Sequence, residues 1–120
     1  EQYASVHYLC DQPHGGTALY RFLPRNKVRF RENDRPIVQE MIQAVHDHPE
    51  EHQGYLIGDT RFYKQEVVVE AKFNRLVLYP GNLLHCAMLT SPQSLISDVR
   101  SGRLTVASFF RLGAKSPLAN

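Results

Sequence analysis

Six short runs of β-branched and aromatic residues, most of them ended by Gly, Pro, Asn or Asp, constrain what this chain can fold into. Residues 3–10 read as a buried strand, and the Asp11-Gln12-Pro13-His14-Gly15-Gly16 segment reads as a turn. Residues 17–23 form a second run, which Pro24 stops because proline cannot donate to a sheet ladder. Runs at 62–69, 73–79, 83–88 and 103–112 supply four more strands, with Pro80-Gly81-Asn82 as a turn between two of them. One stretch breaks the pattern. Pro36 suits the first turn of a helix, Asp34 is the better cap, and Ile37, Met41, Ala44 and Val45 fall near helical spacing. Pro49 disfavours helix before it, so the helix ends near 46–48. Residues 25–33 read as a loop or short edge strand, and 46–54 as a polar loop. Mostly strands with one helical insert favour a sandwich or barrel-like β fold.

A chain of 120 residues, 42% hydrophobic and 22% charged, makes one domain with a buried core. The expected domain is 1–112, with 113–120 a flexible tail. The net charge of +2 is mild and no dense Lys/Arg run exists, so the sequence does not point to nucleic acid or a membrane surface. Arginines gather at 25–35, but Glu32 and Asp34 interrupt them. No apolar stretch reaches the roughly 18 residues of a membrane span. The chain opens on Glu1-Gln2-Tyr3, with neither initiator Met nor signal pattern, and is expected to be trimmed. Cys10 and Cys86 do not make a disulfide scaffold; reduced thiols fit a cytoplasmic protein.

His85 stands just inside a strand after the Pro80-Gly81-Asn82 turn, where the fold fixes its direction and the loop leaves access. Imidazole there suits Fe, Zn, Ni or Cu, and an ordinary core or surface histidine is the plainer alternative. Arg103 and Thr105 share one side of a strand and offer a planar fork and a hydroxyl to a small dicarboxylate. A surface Arg beside a strand-forming Thr is the alternative. His46, His48 and His52 make a loose cluster open to adventitious metal. No nucleophile elbow or carboxylate pair stands out, so no catalytic residue is assigned.

Tyr8-Leu9-Cys10, Gly15-Gly16-Thr17 with Tyr20-Arg21, residues 74–81 with His85, and Arg103-Leu104-Thr105 occur in the order and spacing of a known family. The chain resembles the C-terminal part of the 2-oxoglutarate/Fe(II)-dependent dioxygenase-like double-stranded β-helix, of the prolyl-hydroxylase-like type, nearest an uncharacterised bacterial branch. The resemblance implies a partial jelly-roll or cupin-like fold over residues 3–111. It implies His85 as the distant iron ligand and Arg103 with Thr105 as the 2-oxoglutarate clamp. Tyr8, Tyr20 and Tyr79 become candidates for the same pocket, and Tyr79 is counted with the clamp. The implied activity is hydroxylation of an unknown small molecule or protein.

The family's His-x-Asp pair should precede residues 3–10, and no such pair lies there. Three readings stay open: a fragment of an active oxygenase, a short homologue serving as a metal-free binding or structural domain, and an unrelated small β-barrel. Open strand edges in a chain this short would be covered by the helix, by a second copy in a homodimer, or by a complementing N-terminal segment.

Overall fold

The computed structural model describes residues 2–90 and 95–113. The strands are β1 (Gln2–Tyr8), β2 (Thr17–Phe22), β3 (Tyr63–Val69), β4 (Leu76–Pro80), β5 (His85–Ala87) and β6 (Thr105–Arg111), with one α-helix, α1 (Arg35–Asp47), between β2 and β3. The mainly-β reading with one helical insert holds. Residues 25–33, expected as a loop or short edge strand, run from the end of one 3₁₀ turn (Leu23–Arg25) into another (Glu32–Asp34), with isolated antiparallel bridges pairing Lys27 with Phe22 and Arg29 with Leu83.

All pairings are antiparallel and fall into two three-stranded sheets, β4-β1-β6 and β3-β2-β5. Here the expectation of a double-stranded β-helix, even a partial jelly roll or cupin-like one, is corrected. A barrel closes when edge strands find neighbours. In these two sheets β4, β6, β3 and β5 all remain edges, and no strand passes from one sheet to the other. Most of β6 is exposed, and Phe109 within it is 80% exposed, so among the described residues nothing covers this side.

Two hydrophobic rows follow from strand alternation. Directly paired residues point the same way. In the first sheet Tyr8 stands opposite Thr105, Val6 opposite Val77, and Ala4 opposite Tyr79. This row faces the second sheet, as two contacts show. The Tyr8 and Thr17 hydroxyls hydrogen-bond at 2.5 Å, and the Tyr79 ring meets His85 edge-on at 4.9 Å between centroids. The core lies there, with Tyr8, Cys10 and Ala71 packed against Val6, Val69 and Val77. The opposite face of the first sheet carries Leu76, Leu78, Val106 and Phe110, all exposed.

The helix begins as the sequence implies, with Pro36 in its first turn. Asp34 occupies the cap position but does not cap α1 with its side chain. It accepts instead from the Arg31 backbone N–H at 2.8 Å and pairs with Lys27 at 2.9 Å, stabilising the preceding turn. Arg25 Nε donates to both Glu40 carboxylate oxygens, at 3.0 and 2.7 Å, fastening the helix to the end of β2. The helix stops one residue before His48-Pro49. The tail expected at 113–120 lies outside the described residues apart from Gly113.

Candidate functional site

Gly15 and Gly16 organise the region between the sheets. Gly16 sits so tightly against β3 that an added Cβ would lie 1.8 Å from the Val69 carbonyl oxygen and 2.9 Å from the Ala71 nitrogen. Only a residue without a side chain fits there. Bringing the backbone this close exposes two carbonyls to Arg103. Its Nε donates to Gly15 O at 2.9 Å and its Nη2 to Gly16 O at 3.1 Å. Gly16 O also accepts from the Met88 N–H at 2.9 Å. Two bonds from a rigid fork fix the guanidinium plane, and its Nη1 edge makes no bond among the described residues.

The phenol of Tyr8 is the next element. It is fully buried, and desolvation pushes its pKa up, while the Thr17 hydrogen bond and the Arg103 charge pull the other way. Tyr79, on the same side of the sheet, is also pushed up by burial and then by the Tyr8 phenol. Thr105 projects beside Tyr8 from β6. Tyr8, Thr17, Tyr79 and Thr105 therefore lie on the facing sides of the two sheets, with the Arg103 charge near the Tyr8 phenol and His85 against the Tyr79 ring.

His85 is exposed and begins β5. Its Nδ1 lies 2.6 Å from Leu83 O, so Nδ1 carries the proton and donates to the carbonyl. The Nε2 lone pair is left free to accept, the arrangement found behind most histidine metal ligands. The structure brings the sequence candidates His85 and Tyr79 into contact, places Thr105 opposite Tyr8, and commits two donors of Arg103 to the Gly15 and Gly16 carbonyls. No group of three metal-capable side chains among the described residues includes His85.

A different metal-capable group lies elsewhere. His48, Glu50 and Glu51 each place one ligand atom within 4.8 Å of the others. A histidine and two carboxylates can chelate a divalent cation. Arg61 already sits in this group. It donates to Glu51 at 3.0 and 2.6 Å and to His48 Nδ1 at 3.3 Å, and it lies 4.5 Å from the centre of the Phe62 ring. The guanidinium and His48 hold the Glu51 carboxyl below its ordinary range, Arg61 being the larger cause. The sequence singled out His48 but grouped it with His46 and His52. The two acids after Pro49 are brought in by the short 3₁₀ turn Pro49–Glu51, which no spacing rule for strands or long helices anticipates.

A cavity of about 380 Å³ opens under α1, against the side of the second sheet where Tyr20 and Cys86 project. The segment after Pro49 closes it, and His85 borders it. In its wall the His52 Nδ1 donates to His48 O at 2.8 Å, leaving Nε2 without a partner among the described residues. Cys10 and Cys86 are free thiols, in keeping with the absence of a disulfide scaffold.

Fold and site together define a two-sheet antiparallel β domain with a helical insert and an arginine braced by two backbone carbonyls beside the inter-sheet core. A model for a family of unknown function, DUF6445, matches residues 1–110, and the chain belongs to that family. No curated protein and no solved structure matches it. The resemblance to 2-oxoglutarate/Fe(II)-dependent dioxygenases is thereby corrected as a statement of kinship: the matching family has no assigned function, and the unclosed sheets are not that family's barrel. No helix among the described residues is long and apolar enough to cross a membrane.

Proposed function

We propose that the inter-sheet region at Arg103 binds a small oxoacid beside a metal ion for which His85 supplies one ligand. The observation that carries this reading is the braced Arg103, a half-buried cation whose plane is fixed by Gly15 and Gly16 and whose charge acts on the Tyr8 phenol. A planar fork with one edge free binds a carboxylate through two parallel bonds. Thr105 and Tyr79 add neutral hydroxyls. His85, with its Nε2 lone pair free, offers a metal ligand against the Tyr79 ring.

Fe(II) and 2-oxoglutarate are the pair this donor set suits. Together such a pair supplies oxidative decarboxylation of the oxoacid coupled to hydroxylation of a C–H bond. The fit is partial. A facial triad needs two histidines and a carboxylate, and no group of three metal-capable side chains among the described residues includes His85. The oxoacid clamp is thus the part that belongs to this chain, and completing the iron site takes ligands beyond these. A metal-free binding domain is the alternative.

Calorimetric titration with Fe(II) under argon, followed by 2-oxoglutarate, tests the reading in a His48→Ala background that removes the competing surface group. Expected is metal-dependent 2-oxoglutarate binding, weakened at least tenfold by His85→Ala and by Thr105→Val. Unchanged binding in both variants, or no binding of either component, refutes it in favour of the metal-free domain.

A further inference from the structure

We infer that the cavity beneath α1 is a binding site for an uncharged, ring-containing organic molecule. Its volume of about 380 Å³ lies within the range of small-molecule sites. Its walls are Met41 and Val45 from α1, Tyr20 and Tyr63 from the second sheet, and Tyr55 and Ile57 from the connecting segment. Three tyrosines offer ring faces and edges for stacking, and two helix side chains complete an apolar floor.

The charge of the lining selects the ligand class. No Lys or Arg lines the cavity among the described residues, so an anionic ligand finds no permanent counter-charge there. The one carboxylate in the wall, Glu51, is already held by both donors of the Arg61 fork, so a cationic ligand gains little from it. Tyr20, Tyr63 and Cys86 are each pushed up in pKa by burial and stay neutral at physiological pH. An ionised ligand would lose its hydration and recover little of it, whereas an apolar ring exchanges water for packing.

The mouth is exposed. Tyr55 and Ile57 are each 55% exposed although they line the cavity. They lie between Gly54 and Gly58, which adopt φ of +70° and +63° with no neighbouring atom near a would-be Cβ. Two glycines in left-handed conformations flank the apolar pair and set the turns that present it at the mouth. This binding does not depend on a metal at His85. Because His85 borders the cavity, the molecule held there is the substrate class of the oxoacid site if that reading holds as well.

The probe is N-phenyl-1-naphthylamine, a neutral two-ring fluorophore, titrated into the full chain without added metal. Expected is one saturable site. The sulfonated analogue 1-anilinonaphthalene-8-sulfonate, with the same rings and a negative charge, binds at least tenfold more weakly. Met41→Trp, which fills the cavity from the helix side, weakens the neutral probe at least tenfold. Val45→Trp does the same and stands in should Met41→Trp lose its far-ultraviolet circular dichroism. Phe109→Lys, on the exposed strand of the other sheet, leaves binding unchanged. Equal binding of the sulfonate, full affinity in the filled variants, or loss with Phe109→Lys overturns the inference. Iron titration of the same samples is a separate readout. Absent probe binding with metal binding intact sinks the cavity alone, and the reverse sinks the oxoacid site alone.

Discussion

Replacing Arg103 by Met tests whether one guanidinium braces the whole inter-sheet region. Methionine keeps an unbranched stem of similar length and removes every donor. Two bonds vanish, to Gly15 O and Gly16 O at 2.9 and 3.1 Å. They are not equal losses. Gly16 O keeps its bond from the Met88 N–H, whereas buried Gly15 O loses the donor it receives from Arg103. Leaving one buried carbonyl unsatisfied costs roughly 1–3 kcal/mol, so about 2 kcal/mol is expected. At an unfolding entropy of about 2.1 cal/mol/K per residue, that lowers the Tm of a chain this size by about 8 °C. Arg103→Lys, which can return one charged donor, should recover about half. Thermal unfolding followed by circular dichroism reads both. A Tm within about 2 °C of the parent for Arg103→Met, at the precision such scans reach, would show that the guanidinium is no brace and would remove the geometric basis of the oxoacid clamp.

Gly16→Ala drives a Cβ into the Val69 carbonyl and the Ala71 nitrogen, both backbone atoms that cannot swing aside. The expected loss is about 3 kcal/mol, read from urea midpoints, and a loss below about 1 kcal/mol contradicts the close approach. Alkaline pH supplies another test, through Tyr8, Tyr63 and Tyr79, whose pKa values burial raises above 10.0. A raised phenol keeps its proton in the fold after the unfolded chain has lost it. Its stabilisation is therefore complete below about pH 10 and disappears as pH rises through the folded values. Urea midpoints should hold steady to about pH 9 and fall beyond about 10; no fall by about pH 11.5 would mean the phenols ionise freely in the native state.

Much of the architecture was legible because it depends on local chemistry. Alternation and turn residues located all six strands to within a few residues, and Pro36 and Pro49 bracket the helix. What escaped is non-local. Nothing in residues 103–112 reveals that β6 is an exposed edge, because the same alternation serves a central strand. Asp34 looks like a helix cap, yet Lys27 and the Arg31 amide claim its carboxylate first, and that competition depends on a turn the sequence does not specify. The candidate site was legible in part. Thr105 and Arg103 were singled out, but the role of Gly15 and Gly16 as acceptors for Arg103 needs the fold. The cavity under α1 was invisible, since its lining comes from five separated segments whose apolar residues read individually as ordinary core.

The pairing of β1 with β6 sets the order in which this protein can assemble as it leaves the ribosome. Gln2 pairs with Arg111 and Tyr8 with Thr105, so β1 has to wait until residue 111 has been made before that ladder is complete. The β2–β3 pair is complete once residue 69 has emerged. The second sheet can thus nucleate first, β1 pairs with β4 once residue 80 has emerged, and the other edge of β1 stays open until β6 follows. So non-local a closure makes for slow folding and a long interval of exposed strand edge. In a cell, chaperone demand should track the emergence of β6 more closely than the burial of any single core residue.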